Sequence, residues 1–125
     1  MIKLQTLKAA EAGDGIQSRL PAARVLAGDP VFTAWAMQTG DISSGIWAST
    51  EGKQVMARDA QTWEFFHILE GEVELTDDQG NATRFGPGDS CIVPPGFTGS
   101  WHTIRAVRKS YVTIRSAGVP ALLGS

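Results

Sequence analysis

The chain has 125 residues, of which 42% are hydrophobic, and this is enough to bury the core of one domain. Eleven Lys and Arg stand against thirteen Asp and Glu, a net charge of −2 with no long basic run, which excludes an electrostatic surface for nucleic acid or an anionic membrane. The single cysteine excludes an internal disulfide and no apolar stretch approaches the ~18 residues of a membrane span, so we expect a cytoplasmic protein.

The predicted elements are extended segments separated by turns. Residues 1–30 mix Ala, Gly, Pro and charged residues, and we expect an irregular N-terminal arm with at most a weak strand near residues 2–7. Over residues 31–125, Gly, Asp, Asn and Pro recur at turn positions with the spacing of an antiparallel sandwich or barrel. The segments that we predict as strands are 31–38, 43–49, 53–58, 63–69, 72–77, 81–85, 90–94, 98–104 and 107–115. The sequence therefore predicts an all-β domain over residues 31–125.

One acid interrupts an apolar and aromatic strand. In the stretch TWEFFHILEGEVEL, residues 62–75, Glu64 shares a face with Phe66 and Ile68, and His67 lies on the other, because side chains alternate along a strand. If Glu64 points into a barrel, burial would raise the pKa of its carboxyl, whereas a neighbouring Arg would lower it. A buried carboxylate without a partner is costly, so we expect a residue that pairs with it.

Two segments in a fixed relation resemble the sequence motifs of the cupin superfamily. The first is EFFHILEG, in which Gly71 follows Glu64 by seven residues, and the second is GDSCIVPPG, in which Gly96 follows Gly88 by eight. With GIWAST and VRKSYV the similarity extends over 45–112. Within the superfamily, the sequence more closely resembles single-domain cupins related to the ureidoglycine aminohydrolase cupin domain. The resemblance implies an all-β, RmlC-like jelly-roll barrel with a ligand cavity in its mouth.

In metal-binding cupins the first motif provides two histidines before the glutamate, and the second motif provides a third. The corresponding positions of this chain hold Ala57, Asp59 and Gly99. Only Glu64 of the four ligands is present, and the chain contains two histidines in all. The three-histidine site of the family therefore cannot form within one chain.

For these reasons we expect no cofactor. The alternative is a mixed site for a divalent metal such as Mn²⁺ or Zn²⁺, built from Glu64 with Asp59, His67 or Cys91, because carboxylate, imidazole and thiolate each bind such ions. The simpler interpretation of the histidine and the cysteine is structural, as packed side chains of the sheet.

Four residues are predicted to line the cavity around Glu64. Phe66 shares its face of the strand, and the register of the second motif brings Trp101 near both. Arg58 and Lys109 are candidates either to pair with Glu64 or to bind an anionic ligand, and the alternative for each is a solvated charge on a strand.

Three hypotheses for function follow. The first is a small polar metabolite bound in the barrel mouth without the three-histidine metal site, with Glu64 as a candidate general acid or base. The second is a metal-dependent enzyme similar to ureidoglycine aminohydrolase, and the third is a non-catalytic accessory or structural dimer. We expect a homodimer with residues 1–10 and 31–38 in its interface, because pairing covers exposed sheet edges, and no nucleic-acid or membrane partner.

Overall fold

Strands form where the sequence alternates apolar and polar residues, and turn residues separate them. A computed structural model of the protein describes residues 2–116. Its strands are β1 (Ile16–Ser18), β2 (Val25–Gly28), β3 (Phe32–Gln38), β4 (Ile42–Ser49), β5 (Gly52–Ala57), β6 (Thr62–Asp77), β7 (Ala82–Phe85), β8 (Ser90–Val93) and β9 (Thr98–Arg115). In that part of the chain the helical segments are two 3₁₀ turns, Ala9–Glu11 and Ala22–Arg24, so the all-β prediction is confirmed. None of its helical segments is long and apolar enough to cross a membrane.

Strand β9 organises the sheet, because it pairs antiparallel with three others. Its first half pairs with β5, its second half pairs with β4, and β6 runs along most of its length. The strand order is β1-β3-β4-β9-β5-β2, and β6 continues the sheet into β7 and β8. A sheet in which the central strands change partners along their length curls on itself, and the inner face becomes the core.

The two longest strands, β6 and β9, continue where the sequence predicts breaks. Residues 63–69 and 72–77 belong to one strand, β6, and the prediction of a tight turn between them is wrong. The β6–β9 register shifts between Ile68 and Val73, and Gly71 has a φ of +86°, so the chain bulges and continues. The predicted break between 98–104 and 107–115 is likewise absent, since β9 is continuous.

The N-terminal arm needs a partial correction. Within residues 2–30, β1 pairs with β3 and β2 pairs with β5, so this segment contributes two edge strands and is not wholly irregular. The indole nitrogen of Trp35 donates a hydrogen bond of 3.0 Å to the carbonyl oxygen of Gly13, which ties the arm to the barrel. The domain boundary at residue 30 stays a prediction.

The core confirms the predicted alternation in β6. Phe66 and Ile68 are fully buried, whereas Phe65 and Leu69 are about two-fifths exposed. The buried cluster is formed by side chains of β5, β6, β8 and β9, namely Met56, Phe66, Ile68, Val73, Leu75, Val93, Trp101 and Val107. The face of β6 that carries Glu64 is therefore the inner face of the barrel.

The bulge at Gly71 provides a stability test. A Cβ atom at Gly71 would overlap the carbonyl oxygen of Ala106, whereas a Cβ at Gly80, which has a φ of +85°, meets nothing within 4 Å. We expect Gly80→Ala to lower the free energy of unfolding by about 1 kcal/mol, from its positive φ alone. Gly71→Ala should cost roughly 2 kcal/mol more, because the backbone of β9 must move. Urea unfolding of both variants measures the difference, and equal losses would contradict the close approach.

Candidate functional site

The site is centred on Glu64, which lies in the middle of the sheet. Strand β6 pairs there with β8 on one side and β9 on the other, opposite Val93 and Thr113. Glu64 is only 1% exposed. Because the alternation of β6 turns its side chain inward, the carboxylate is held among core residues rather than in solvent.

Each carboxylate oxygen of Glu64 has its own cation. The ammonium of Lys109, on β9, donates a hydrogen bond of 2.6 Å to Oε2. The guanidinium of Arg58, which follows β5, donates from Nη2 to Oε1. The sequence predicts both as partners for Glu64 or for a ligand, and the structure places both against this one carboxylate. Lys109 is also almost completely buried, which makes the Glu64–Lys109 contact an internal ion pair.

The protonation of the pair follows from two opposed effects. Burial would raise the pKa of Glu64, but the charges of Lys109 and Arg58 and their hydrogen bonds outweigh burial and hold the pKa below its ordinary value. Burial lowers the pKa of Lys109, and the attraction of Glu64 offsets only part of that change. The carboxylate is therefore ionised at neutral pH, a state suited to an electrostatic anchor and not to a general acid.

Three aromatic rings surround the ammonium of Lys109. Its Nζ lies 4.5 Å from the ring centroid of Trp101, 4.7 Å from that of Trp47 and 5.0 Å from that of Phe66. Ring faces attract cations, and the attraction is stronger when water is excluded. The indole nitrogen of Trp101 donates to Thr103 Oγ1 over 2.9 Å, which fixes the ring in place. The rings thus hold a buried charge in an otherwise apolar part of the barrel.

A cavity of about 380 Å³ opens beside this cluster. Its volume lies within the roughly 300–1,000 Å³ of small-molecule sites. Of the residues predicted from the sequence, Glu64, Trp101, Arg58 and Lys109 lie on its wall. Phe66 is not among the wall residues: it is fully buried behind the ammonium, with its ring centroid 5.4 Å from that of Trp101.

The cavity wall also contains residues that the sequence analysis did not single out. Tyr111 follows Lys109 by two positions on β9, and Gln54 precedes Met56 by two on β5, so strand alternation could have identified both. Arg24 reaches the cavity from the N-terminal arm, and no local pattern in the sequence marks it. Burial raises the pKa of the Tyr111 hydroxyl, and the nearby negative charge of Glu64 raises it further.

The residues present do not fit the metal ion that the cupin resemblance implies. Asp59 is exposed, and its carboxylate accepts hydrogen bonds from the backbone of Gln61 and the hydroxyl of Thr62. A Cβ atom at Gly99 would overlap the carbonyl oxygen of Thr76, so no imidazole can occupy that position. The carboxylate at the centre is already paired with two cations, and these repel a third.

The other candidate ligands lie apart from one another. The Nδ1 atom of His67 is 2.7 Å from Ser90 Oγ, on the face of β6 opposite Glu64. Cys91 is half-buried, and burial and the charge of Glu64 raise the pKa of its thiol. Between residues 2 and 116 no group of three or more His, Cys, Asp or Glu side chains is arranged to hold a metal ion.

The Glu64–Lys109 ion pair should make the free energy of unfolding depend on pH. Because its folded-state pKa lies below the ordinary 4.5, ionised Glu64 stabilises the fold above that value, and the contribution is lost as pH falls through the folded pKa. Glu64→Gln should lower the free energy of unfolding at pH 7 by about 3 kcal/mol, since Lys109 loses its charged partner. Urea unfolding from pH 7 to pH 3 should show the two proteins converging. The exposed control Glu11→Gln should follow the wild type, and a constant Glu64→Gln deficit would contradict the assignment.

Three solved structures show the same fold at low sequence identity. The EutQ protein of Clostridium difficile has a TM-score of 0.64 at 17% identity, over 78% of this chain and 76% of that one. The Cnp3 cupin domain of Schizosaccharomyces pombe has a TM-score of 0.60 at 21% identity, over 80% and 75%. A protein of unknown function from Rhizobium leguminosarum bv. viciae 3841 has a TM-score of 0.63 at 17% identity, over 91% and 99%.

No curated protein matches the sequence significantly. The sequence model of the EutQ-like cupin domain does match, over residues 36–111, which is more than half of the chain. The match contains β4 to β8 and most of β9, and thus Arg58, Glu64 and Lys109. This protein therefore belongs to the family of EutQ-like cupin domains, and its curled sheet is the jelly-roll barrel expected from the sequence.

Proposed function

We propose that the protein binds a small polar metabolite in the mouth of its barrel, without a metal ion. The observation that carries the proposal is the cavity of about 380 Å³ beside the buried pair of Glu64 and Lys109 and the partly exposed Arg58. Apolar walls with a few convergent polar groups are typical of ligand sites, in which the polar groups fix orientation. The aromatic side chains of Phe32, Trp47 and Trp101 supply such walls.

In this proposal Glu64 holds the cations and is not the group that donates a proton. Its two oxygens fix the ammonium of Lys109 and the guanidinium of Arg58 on the cavity wall. Fixed charges of this kind orient a ligand at little entropic cost, because they are already ordered before it arrives. Any catalysis would use Glu64 as an electrostatic anchor, because the cations on both of its oxygens weaken it as a proton acceptor.

The alternative of a metal-dependent, ureidoglycine aminohydrolase-like enzyme has weaker support. That chemistry needs an ion that polarises the substrate. The donor set around Glu64 disfavours an ion, since two cations already pair with the carboxylate and Gly99 has no room for a side chain. The similarity to the EutQ protein of Clostridium difficile, at 17% identity, concerns the fold and names no reaction for this chain.

A ligand screen tests the proposal. We expect a subset of polar metabolites to raise the melting temperature of the purified protein, since binding at a hundred times Kd adds about 2.7 kcal/mol. Ala57→Trp places a bulky ring on an exposed part of the cavity wall and should abolish the shifts. Ala82→Trp, an exposed substitution on β7, is the matched control.

Two outcomes of that screen would decide against the proposal. If no compound shifts the melting temperature, or if Ala57→Trp leaves every shift intact, the cavity is not the site of binding. A parallel titration with Mn²⁺ and Zn²⁺ should leave the melting temperature unchanged. A saturable metal shift that Glu64→Gln removes would instead support the aminohydrolase-like alternative.

We also propose that the protein is a cytoplasmic homodimer. A dimer is equally compatible with the third hypothesis, a non-catalytic accessory or structural role. Ile2 and Leu4 lie in the predicted interface segment 1–10 and are almost fully exposed. Apolar side chains at that exposure favour contact with another surface.

Sedimentation equilibrium should accordingly give the mass of a dimer. Leu4→Lys should shift the equilibrium toward the monomer, because it would bury a charge in the interface. The exposed control Lys3→Gln should not have this effect. A monomeric wild-type protein would contradict this part of the proposal.

A further inference from the structure

We propose that a second copy of this chain covers an apolar patch on the outer face of the sheet. This outer patch is formed by side chains of β4, β6, β8 and β9, namely Ile42, Trp63, Phe65, Ile92, Val112 and Ile114. The inference rests on the homodimer proposed above, and it identifies the surface that the two copies share. Strand β3 belongs to the same face, so the outer patch continues the predicted interface segment 31–38 toward the middle of the sheet.

The pairing of the strands sets one row of the outer patch side by side. Phe65 lies opposite Ile92 on β8 and opposite Val112 on β9. Residues that are directly paired across strands point to the same face of a sheet. Because Phe65 alternates with the buried Glu64 and Phe66, this row faces away from the core.

A second apolar row lies next to the first. Ile114 of β9 is paired with Trp63 on one side and with Ile42 on the other, and it follows Val112 by two positions. The side chains are open to solvent within one protomer: Phe65 is 42% exposed and Ile42 is 37% exposed. A contiguous exposed apolar surface of this kind marks a site of interaction with another molecule.

The other outer face of the same barrel is built differently. There the pairing of β5, β9, β6 and β7 aligns a row of charged and polar side chains, Lys53, His102, Glu74 and Arg84. Arg84 and Glu74 form a salt bridge of 2.9 Å. Such a row is a solvated surface, so the chain keeps charged residues on one outer face and apolar residues on the other.

The scarcity of charge on the apolar face favours a second copy as its occupant. Among the outward positions of β4, β6, β8 and β9 on this face, one carries a charged residue, Arg108, whose guanidinium lies 4.8 Å from the ring centroid of Trp35. A two-fold contact sets a surface against itself, so like charges on it would repel. Homodimer interfaces are also more apolar than those between unlike partners that separate and reassociate.

The size of the face agrees with this occupant. Five strands, β3, β4, β9, β6 and β8, spaced by ~4.8 Å cover roughly 24 Å across the sheet. Residues 63–69 of β6, at ~3.3 Å each, extend about 23 Å along it. The product is roughly 550 Å² before the relief of the side chains is counted, and a stable interface takes about 800 Å² from each partner.

Sedimentation equilibrium of matched variants tests the inference. Ile92→Lys should raise the dissociation constant of the dimer about a hundredfold, because it places an unpaired charge inside the interface of both copies. Leu26→Lys is the control, since Leu26 is also an exposed aliphatic residue on an edge strand, at 54% against 61% for Ile92. It should leave the dissociation constant unchanged. Circular dichroism and the melting temperature check that both variants are folded.

Carbene footprinting of the wild-type protein gives a second measurement that does not depend on a variant. Dilution from above to below the dissociation constant of the dimer should increase the labelling of Phe65 and Ile92 several-fold. The labelling of Leu26 should stay constant. If Ile92→Lys fails to fold, this comparison decides the inference by itself.

The outcomes separate this inference from the homodimer on which it rests. If Ile92→Lys and Leu26→Lys weaken the dimer equally, or if dilution leaves the labelling of Phe65 and Ile92 unchanged, the outer patch is not the interface. The homodimer then stands if Leu4→Lys dissociates it. If the wild type is a monomer at every concentration, both the homodimer and the outer patch as its interface are wrong, and the ligand screen of the cavity is unaffected.

Discussion

The contact between Lys109 and Glu64 is the interaction on which the rest of the site depends. Both groups are almost entirely withdrawn from water, and neither would be tolerable there without the other. The rings of Trp47 and Trp101 stabilise the ammonium, and Arg58 occupies the remaining carboxylate oxygen. Replacing either member of the pair leaves an unpaired charge in apolar surroundings. The charged side chains of the cluster are therefore stable only together.

The long pairing of β6 with β9 brings this cluster together. Glu64 and Lys109 are 45 residues apart in sequence, yet the two strands place them within hydrogen-bond distance. The bulge at Gly71 lets one continuous strand pair with β8 before the bend and with β7 after it. Trp101 comes from the other half of β9, so the same bend in the sheet sets the aromatic wall against the charged pair.

The sequence predicted the barrel and the inward face of β6, because both depend on local patterns: turn residues between short strands, and alternation around Glu64. It also named Arg58 and Lys109 as candidate partners of Glu64, but it could not choose between a partner and a solvated charge, since that depends on pairing between distant strands. The continuity of β6 was missed because a glycine such as Gly71, between Glu70 and Glu72, serves a bulge and a reversal equally well. Arg24 was missed because its position depends on how the arm crosses the barrel.

The two cations next to Glu64 have a consequence for when the charge of the cavity is established. A metal centre is complete only after an ion has been acquired, and its occupancy follows the supply in the surroundings. Here the positive charge is carried by Lys109 and Arg58, which are part of the polypeptide. The electrostatics of the cavity are therefore established when the barrel closes, and neither scarcity of metal nor a chelator can remove them.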